Sequence, residues 1–128
     1  MGPMLDHLSL GVGDIGVARG FYDKALKPLG YRRVRNFGAQ ASGYGVGPHA
    51  PQFWLNLARK PKPSAGTHIA FSAPDRKSVR AFHKAALKAG GRDDGVPGLR
   101  PHYHPNYYGA FIIDPDGHHI EAVCHLPE

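Results

Sequence analysis

Residues 7–30, HLSLGVGDIGVARGFYDKALKPLG, are similar in sequence to residues 68–91, HIAFSAPDRKSVRAFHKAALKAGG. Aligned without a gap, the two stretches are identical at eight of 24 positions. The identities include a histidine, a phenylalanine and the tripeptide Ala-Leu-Lys, a combination that chance matching of common residues does not explain. The chain therefore contains two copies of one structural unit.

Each copy begins with the pattern of a strand followed by a helix. Apolar and polar residues alternate from Leu5 to Val12, as in a half-buried strand, and residues 68–72 take the same place in the second copy. Asp14 and Asp75 then occupy the N-cap positions of amphipathic helices. The predicted apolar helix faces are Val17, Phe21, Ala25 and Leu29 in the first copy and Val79, Phe82, Ala86 and Leu87 in the second.

Three short strand candidates follow each helix, separated by glycine and proline residues. They cover residues 31–37, 42–46 and 52–58 in the first copy and residues 92–96, 107–113 and 118–124 in the second. We therefore expect an α+β fold in which two tandem βαβββ modules form a curved mixed sheet around a central cleft. Its parts are module one at residues 4–59, a linker at 60–66 and module two at 67–125, all within one domain spanning 1–128.

Composition narrows the class of protein. A chain of 128 residues, 41% of them hydrophobic, can form a core without disulfides, and it has one cysteine. We expect no membrane segment, because no apolar run approaches the roughly 18 to 20 residues that a crossing needs. Residues 1–4 lack the features of a secretory signal, which favours a cytoplasmic location. The net charge is +6, but the densest basic cluster, residues 31–35, is too short to predict nucleic-acid binding.

Two of the nine histidines occupy equivalent positions in the repeat, His7 and His68. If an approximate twofold axis relates the two sheets, equivalent residues on their concave faces converge. In the last predicted strand Glu121 alternates with Ile120 and Ala122, so its side chain is on the face opposite these apolar residues. Two imidazoles and one carboxylate are typical ligands of a divalent ion, with Fe, Mn, Zn, Ni and Mg all open. The alternative is a pocket without metal.

Three motifs carry a resemblance to a known family. They are LDHLSL at residues 5–10 followed by Phe21-Tyr22, THIAF at residues 67–71, and DPDGHHIE at residues 114–121. With these motifs the chain resembles the vicinal oxygen chelate superfamily, which includes glyoxalase I, bleomycin-resistance proteins, fosfomycin-resistance thiol transferases and extradiol dioxygenases. The resemblance covers essentially the whole chain. It implies a paired βαβββ fold, commonly a homodimer, with the metal ligands His7, His68 and Glu121.

Departures from the family pattern separate its branches. Glyoxalase I enzymes usually place a fourth ligand on the last strand of module one, where this chain has the neutral Asn56. A neutral amide is a poor substitute for a carboxylate on a divalent metal, so this departure argues against glyoxalase I activity. The cation-rich phosphonate pocket of the fosfomycin thiol transferases has no counterpart after Glu121. Extradiol dioxygenases use two histidines and a carboxylate for Fe(II), with a further histidine and tyrosine near the substrate.

The run HYHPNYY at residues 102–108 is the candidate for proton transfer, since each of these histidines and tyrosines can donate or accept a proton. We expect His102 or His104 to act as general acid or base, and Tyr107 or Tyr108 to stabilise an anion. The alternative is a polar loop that packs at a dimer interface.

Four residues are candidates for substrate binding: Ser9, Trp54, Asn56 and Arg100. Trp54 would supply an apolar wall, and Arg100 would steer an anionic substrate. The sequence favours a metal-dependent lyase or dioxygenase whose small, oxygen-rich substrate is chelated through neighbouring oxygens. The alternative is a non-enzymatic protein that binds a small molecule or sequesters a drug.

Overall fold

The computed structural model describes residues 4–128, so residues 1–3 of the predicted domain lie outside the described residues. Module one consists of β1 (Leu8–Val12), α1 (Ile15–Leu26), a 3-10 turn (Lys27–Leu29), β2 (Arg32–Phe37), β3 (Ala41–Gly45) and β4 (Phe53–Leu57). Module two consists of β5 (His68–Ser72), α2 (Arg76–Lys88), β6 (Arg92–Leu99), β7 (Tyr108–Ile113) and β8 (His119–Cys124). The predicted α+β fold with two βαβββ modules is confirmed.

Each module forms a four-stranded mixed sheet. The strand orders are β1-β4-β3-β2 and β5-β8-β7-β6, so the first strand of each module pairs with its last. These pairs are parallel, whereas the other strand pairs are antiparallel. Ser9 consequently lies opposite Trp54, and His68 lies opposite His119. This topology places residues that are far apart in sequence next to the two equivalent histidines.

The repeat is visible in the helix starts. Asp14 accepts a hydrogen bond from the backbone N–H of Val17 at 3.0 Å, and Asp75 accepts one from that of Ser78 at 2.7 Å. Both are N-caps with the same spacing, as the sequence predicts. Within residues 4–128, neither helix has the length and apolar character needed to cross a membrane.

The helices cover one face of each sheet and leave the other face open. The buried stripe of α1 consists of Ala18, Phe21, Tyr22, Ala25 and Leu26, with the spacing i, i+3, i+4, i+7, i+8. The predicted face is wrong at Val17 and at Leu87 of α2, which are 53% and 41% exposed. In α1 a strict spacing of four drifts around the helix and takes Val17 off the buried stripe, whereas Leu87 directly follows the buried Ala86 and so lies about 100° further around α2.

The turn between β7 and β8 ties module two to module one. We call this set of contacts the inter-module clasp: Tyr22 Oη to Asp114 Oδ2 (2.6 Å), Gly13 N to Asp116 Oδ1 (2.9 Å) and His118 Nε2 to Gly11 O (2.7 Å). Tyr22 and Asp114 are buried. Burial raises the pKa of Tyr22 well above its ordinary value, so its hydroxyl stays protonated and donates.

Candidate functional site

The open face of module two carries a buried carboxylate, Glu121, which is 0% exposed on the central strand β8. One oxygen, Oε1, lies 3.1 Å from Nε2 of His68. The other, Oε2, accepts a hydrogen bond from the hydroxyl of Tyr107. Among residues 4–128, no lysine or arginine forms an ion pair with Glu121. A buried carboxylate without a strong cationic partner is energetically costly, which makes this position favourable for a metal cation.

Glycine and tyrosine shape the space around this carboxylate. A Cβ at position 109 would lie 3.0 Å from Oε2 of Glu121, so Gly109 leaves room that a larger residue would fill. Burial and the hydrogen bond to Glu121 raise the pKa of Tyr107 above its ordinary range. The Tyr107 hydroxyl therefore keeps its proton and holds the carboxylate in place.

The donor atoms of His68 and Glu121 suit one ion. Ligand atoms lie about 2.0–2.2 Å from a zinc-like ion, so two atoms that share one ion are no more than about 4 Å apart. Nε2 of His68 and Oε1 of Glu121 are 3.1 Å apart. Imidazole nitrogen and carboxylate oxygen are also the ligand types that borderline divalent ions accept. These two residues therefore fit the predicted metal.

His7, the third predicted ligand, lies at a different cavity on module one. This cavity has a volume of about 420 Å³ and is lined by His7 together with the predicted substrate-binding residues Ser9, Trp54 and Asn56. Nδ1 of His7 donates to Oδ1 of Asp6 at 2.6 Å, which leaves Nε2 free to bind a ligand. Trp54 stacks on the exposed ring of Phe37, with 5.7 Å between ring centroids.

Within one chain, the structure brings together two of the three predicted ligands. His68 lines a separate cavity of about 300 Å³ with residues of module two, including Asp94, Tyr103 and His119. Across the part of the chain that the structure describes, no group of three His, Cys, Asp or Glu side chains is placed to hold an ion. His7, the remaining predicted ligand, lies on the other module.

Within residues 102–107, Tyr107 contacts the candidate site, whereas the two histidines contact other residues of the loop. Tyr107 contacts Glu121, and its ring packs edge-on against that of Tyr103 at 5.0 Å. His102 packs against Tyr103 at 4.1 Å, and Nδ1 of His104 accepts a hydrogen bond from the backbone N–H of Asn106 at 3.1 Å. The loop thus covers the Glu121 side of module two, with Tyr107 as its deepest contact.

The structure does not place Tyr108 at this site. Strand alternation turns it to the opposite face, where it packs against the core and its hydroxyl accepts a hydrogen bond from Arg80 at 3.3 Å. Arg100 lies above the ring of Phe111, a wall of the His68 cavity, at 5.5 Å. Its guanidinium donates to the carbonyl of Val96 at 2.7 Å.

Sequence reasoning missed one pair in the His68 cavity. Nδ1 of His119 lies 2.8 Å from Oδ2 of Asp94, and both residues line the cavity. Alternation along β8 places His119 on the same face as Glu121, so the sequence could have indicated His119 as a residue of this site. Asp94 is on strand β6, whose register shifts between Asp93 and Gly95. Simple alternation along this strand therefore does not predict which face the side chain of Asp94 occupies.

Comparisons with known proteins agree with this architecture. The sequence profile of the Glyoxalase/Bleomycin resistance protein/Dioxygenase superfamily matches residues 4–122, and the chain belongs to this superfamily. No curated protein sequence gives a significant match. A glyoxalase/bleomycin resistance protein from Albidiferax ferrireducens T118 has a similar structure, with a TM-score of 0.83 and 29% identity over 97% of this chain and 100% of that one.

Two more distant structures share the fold. A glyoxalase-related enzyme from Fulvimarina pelagi superposes with a TM-score of 0.72 at 17% identity, covering 97% of this chain and 88% of that one. The genomically encoded fosfomycin resistance protein FosX from Listeria monocytogenes gives 0.71 at 14% identity, covering 98% and 96%. At these identities the likeness defines the fold alone.

Proposed function

We propose that this protein is a metal-dependent enzyme that binds a small substrate through two neighbouring oxygen atoms. The observation that carries the proposal is the pair of His68 and the fully buried Glu121, two donors 3.1 Å apart with no lysine or arginine paired to the carboxylate within residues 4–128. His7 would complete a set of two imidazoles and one carboxylate, which leaves coordination positions open for substrate.

The third ligand would come from a second copy of the chain. His7 and His68 line separate cavities, and the inter-module clasp fixes how the two modules of one chain are joined. A homodimer in which module one of each copy faces module two of its partner would bring His7 to His68 and Glu121 and form two equivalent sites.

Side chains of this chain would prepare the site. Asp6 accepts the Nδ1 proton of His7 and so directs Nε2 towards the partner's half-site. Tyr107 holds Glu121 in place and keeps its own proton. Trp54 and Phe37 supply an apolar wall for the substrate. A divalent ion bound there would supply Lewis acidity that polarises the two chelated oxygens. Both lyase-like and dioxygenase-like chemistry use this arrangement.

Metal content tests the ligand set. Protein purified without chelator, or reconstituted with Zn(II), Ni(II), Mn(II) or Fe(II), is expected to hold about one ion per chain by elemental mass spectrometry. His7→Ala, His68→Ala and Glu121→Gln are each expected to lose it. His49→Ala is the matched control, because His49 is an exposed histidine outside both cavities. Retention of the ion by the His68 variant would overturn the proposal.

Mixed dimers test the second copy. A heterodimer of His7→Ala and His68→Ala chains, isolated with two different tags, has one intact site if the ligands come from two copies. It has none if each chain forms its own site. We therefore expect one ion per heterodimer, against none for either variant alone. An empty heterodimer beside a wild-type dimer with two ions would contradict the intermolecular site.

A second candidate function is binding of a drug or other small molecule without catalysis. The stacked pair of Phe37 and Trp54 beside the His7 cavity favours it, because such a surface suits a planar aromatic ligand. A thermal shift produced by a large cationic drug and by none of the metal ions would support this function in place of the enzyme.

A further inference from the structure

The His68 cavity contains a second histidine–carboxylate pair that the metal proposal does not use. His119 and Asp94 both line this cavity, and Nδ1 of His119 is 2.8 Å from Oδ2 of Asp94. We propose that His119, oriented by Asp94, binds a hydroxyl group of the substrate next to its two chelated oxygens. This inference rests on the proposed function and narrows its substrate class to molecules with at least three neighbouring oxygens, one of them a hydroxyl donor.

Asp94 fixes which nitrogen of His119 faces the substrate. An ionised carboxylate only accepts hydrogen bonds, so Nδ1 of His119 must be the donor of this contact. With Nδ1 paired to Asp94, Nε2 is the ring nitrogen left to contact a ligand, and within residues 4–128 this nitrogen makes no hydrogen bond. An acceptor held in one orientation at a cavity wall selects a group that carries a proton, and it selects against an ether in the same position.

The position of His119 relative to the candidate ligands supports this role. His119 is the register partner of His68 across the parallel strands β5 and β8. It also precedes Glu121 by two residues, so both side chains are on the open face of the sheet. His119 therefore lies beside the two residues that would hold the metal, and it lines the same cavity as His68.

A second histidine–aspartate pair, His83 with Asp93, shows that this kind of contact does not by itself make a histidine a ligand-binding residue. His83 is bound to Asp93 at 2.9 Å, yet His83 is buried on the core side of α2 and lines none of the described cavities. Its contact joins α2 to β6. His119, by contrast, has a 45% exposed side chain, so a ligand can reach it.

The test uses two phenols that differ by one hydrogen-bond donor. Pyrogallol carries three adjacent hydroxyls, whereas 3-methoxycatechol has the same chelating pair with an ether in place of the third. Both are titrated by calorimetry, without oxygen, into the Zn(II)-loaded full-length protein. We expect pyrogallol to bind about three- to tenfold more tightly, the effect of one hydrogen bond. His119→Leu is expected to abolish this preference, and Asp94→Asn to reduce it, with zinc content unchanged in both.

The outcomes separate this inference from the metal proposal. His49→Leu is the matched control and should keep the full preference. If the wild-type protein binds no zinc, the same titrations are made on the metal-free protein, and a preference that depends on His119 then supports the contact between His119 and the hydroxyl while the chelation fails with the metal proposal. Equal affinities for the two phenols, no binding of either, a preference that His119→Leu retains, or loss of zinc in that variant would each overturn the inference.

Discussion

Replacing Tyr22 with Phe removes one hydroxyl from the inter-module clasp and leaves the aromatic packing in place. The ring of Tyr22 packs against Phe53 at 5.0 Å, and a phenylalanine keeps this contact. The hydroxyl donates to Oδ2 of Asp114 at 2.6 Å, and both residues are at most 3% exposed. The substitution therefore isolates one buried hydrogen bond to a carboxylate.

The expected change in the free energy of unfolding follows from the hydrogen bond that Asp114 loses in this variant. Its other oxygen, Oδ1, accepts the backbone N–H groups of Asp116 and His118 at 2.9 and 2.8 Å, so these bonds cannot replace the lost one. A hydrogen bond to a charged group contributes about 1.5–3 kcal/mol to the free energy of unfolding. For a domain of this length we convert that loss to a fall in Tm of about 6–12 °C.

Urea unfolding followed by circular dichroism measures the change in free energy, and calorimetry measures the change in Tm. The matched control is Tyr31→Phe, which removes a hydroxyl that donates to the backbone carbonyl of Ser72 at 2.7 Å. That bond is neutral and lies at the surface, so we expect a loss of about 0.5–1 kcal/mol. A Tyr22→Phe effect below about 0.5 kcal/mol, or one no larger than the control, would refute the reasoning about a buried carboxylate.

Three further predictions concern Gly109 beside Glu121, Gly20 on α1, and the pair formed by His83 and Asp93. Gly109→Ala is expected to weaken zinc affinity about 10–100-fold in a chelator competition, because the new methyl group would displace the Glu121 carboxylate; unchanged affinity would contradict this. Gly20→Ala, in open space on α1, is its control, and we expect it to stabilise the protein by about 0.5–1 kcal/mol in urea unfolding. The hydrogen bond from His83 lowers the pKa of Asp93, so its contribution to stability is present above about pH 4 and is lost as the pH falls through the lowered pKa. The urea midpoints of wild type and Asp93→Asn should therefore differ at pH 6 and converge in acid; a gap that does not change with pH would exclude this origin.

Much of the fold was predictable because its signals are local. The N-caps Asp14 and Asp75 each accept a hydrogen bond from the backbone three residues later, so their position in the sequence is enough to predict the contact. The end of β6 was not predictable in this way. The sequence predicts a strand that ends at Val96, whereas the strand continues to Leu99 through Pro97 and Gly98, with shifts in register. Glycine and proline usually end a strand, but a bulged edge strand tolerates them.

The candidate site was predictable within a module and not between modules. Glu121 meets His68 because alternation along β8 and parallel pairing with β5 determine which face each occupies. Where His7 lies relative to them depends on how the modules dock, which side-chain contacts such as Tyr22 with Asp114 determine. No periodic pattern in a sequence encodes such a contact, so the repeat predicted equivalent histidines without predicting their separation.

The inter-module clasp also affects the order of events during synthesis. Its three contacts join residues separated by 92, 103 and 107 positions along the chain. A ribosome completes module one long before it adds the turn at residues 114–118, and closing loops of this length delays the contacts further. These three contacts are therefore a late step for the nascent chain. Until that step, the backbone groups of Gly11 and Gly13 and the hydroxyl of Tyr22 have only water as their partner at these positions.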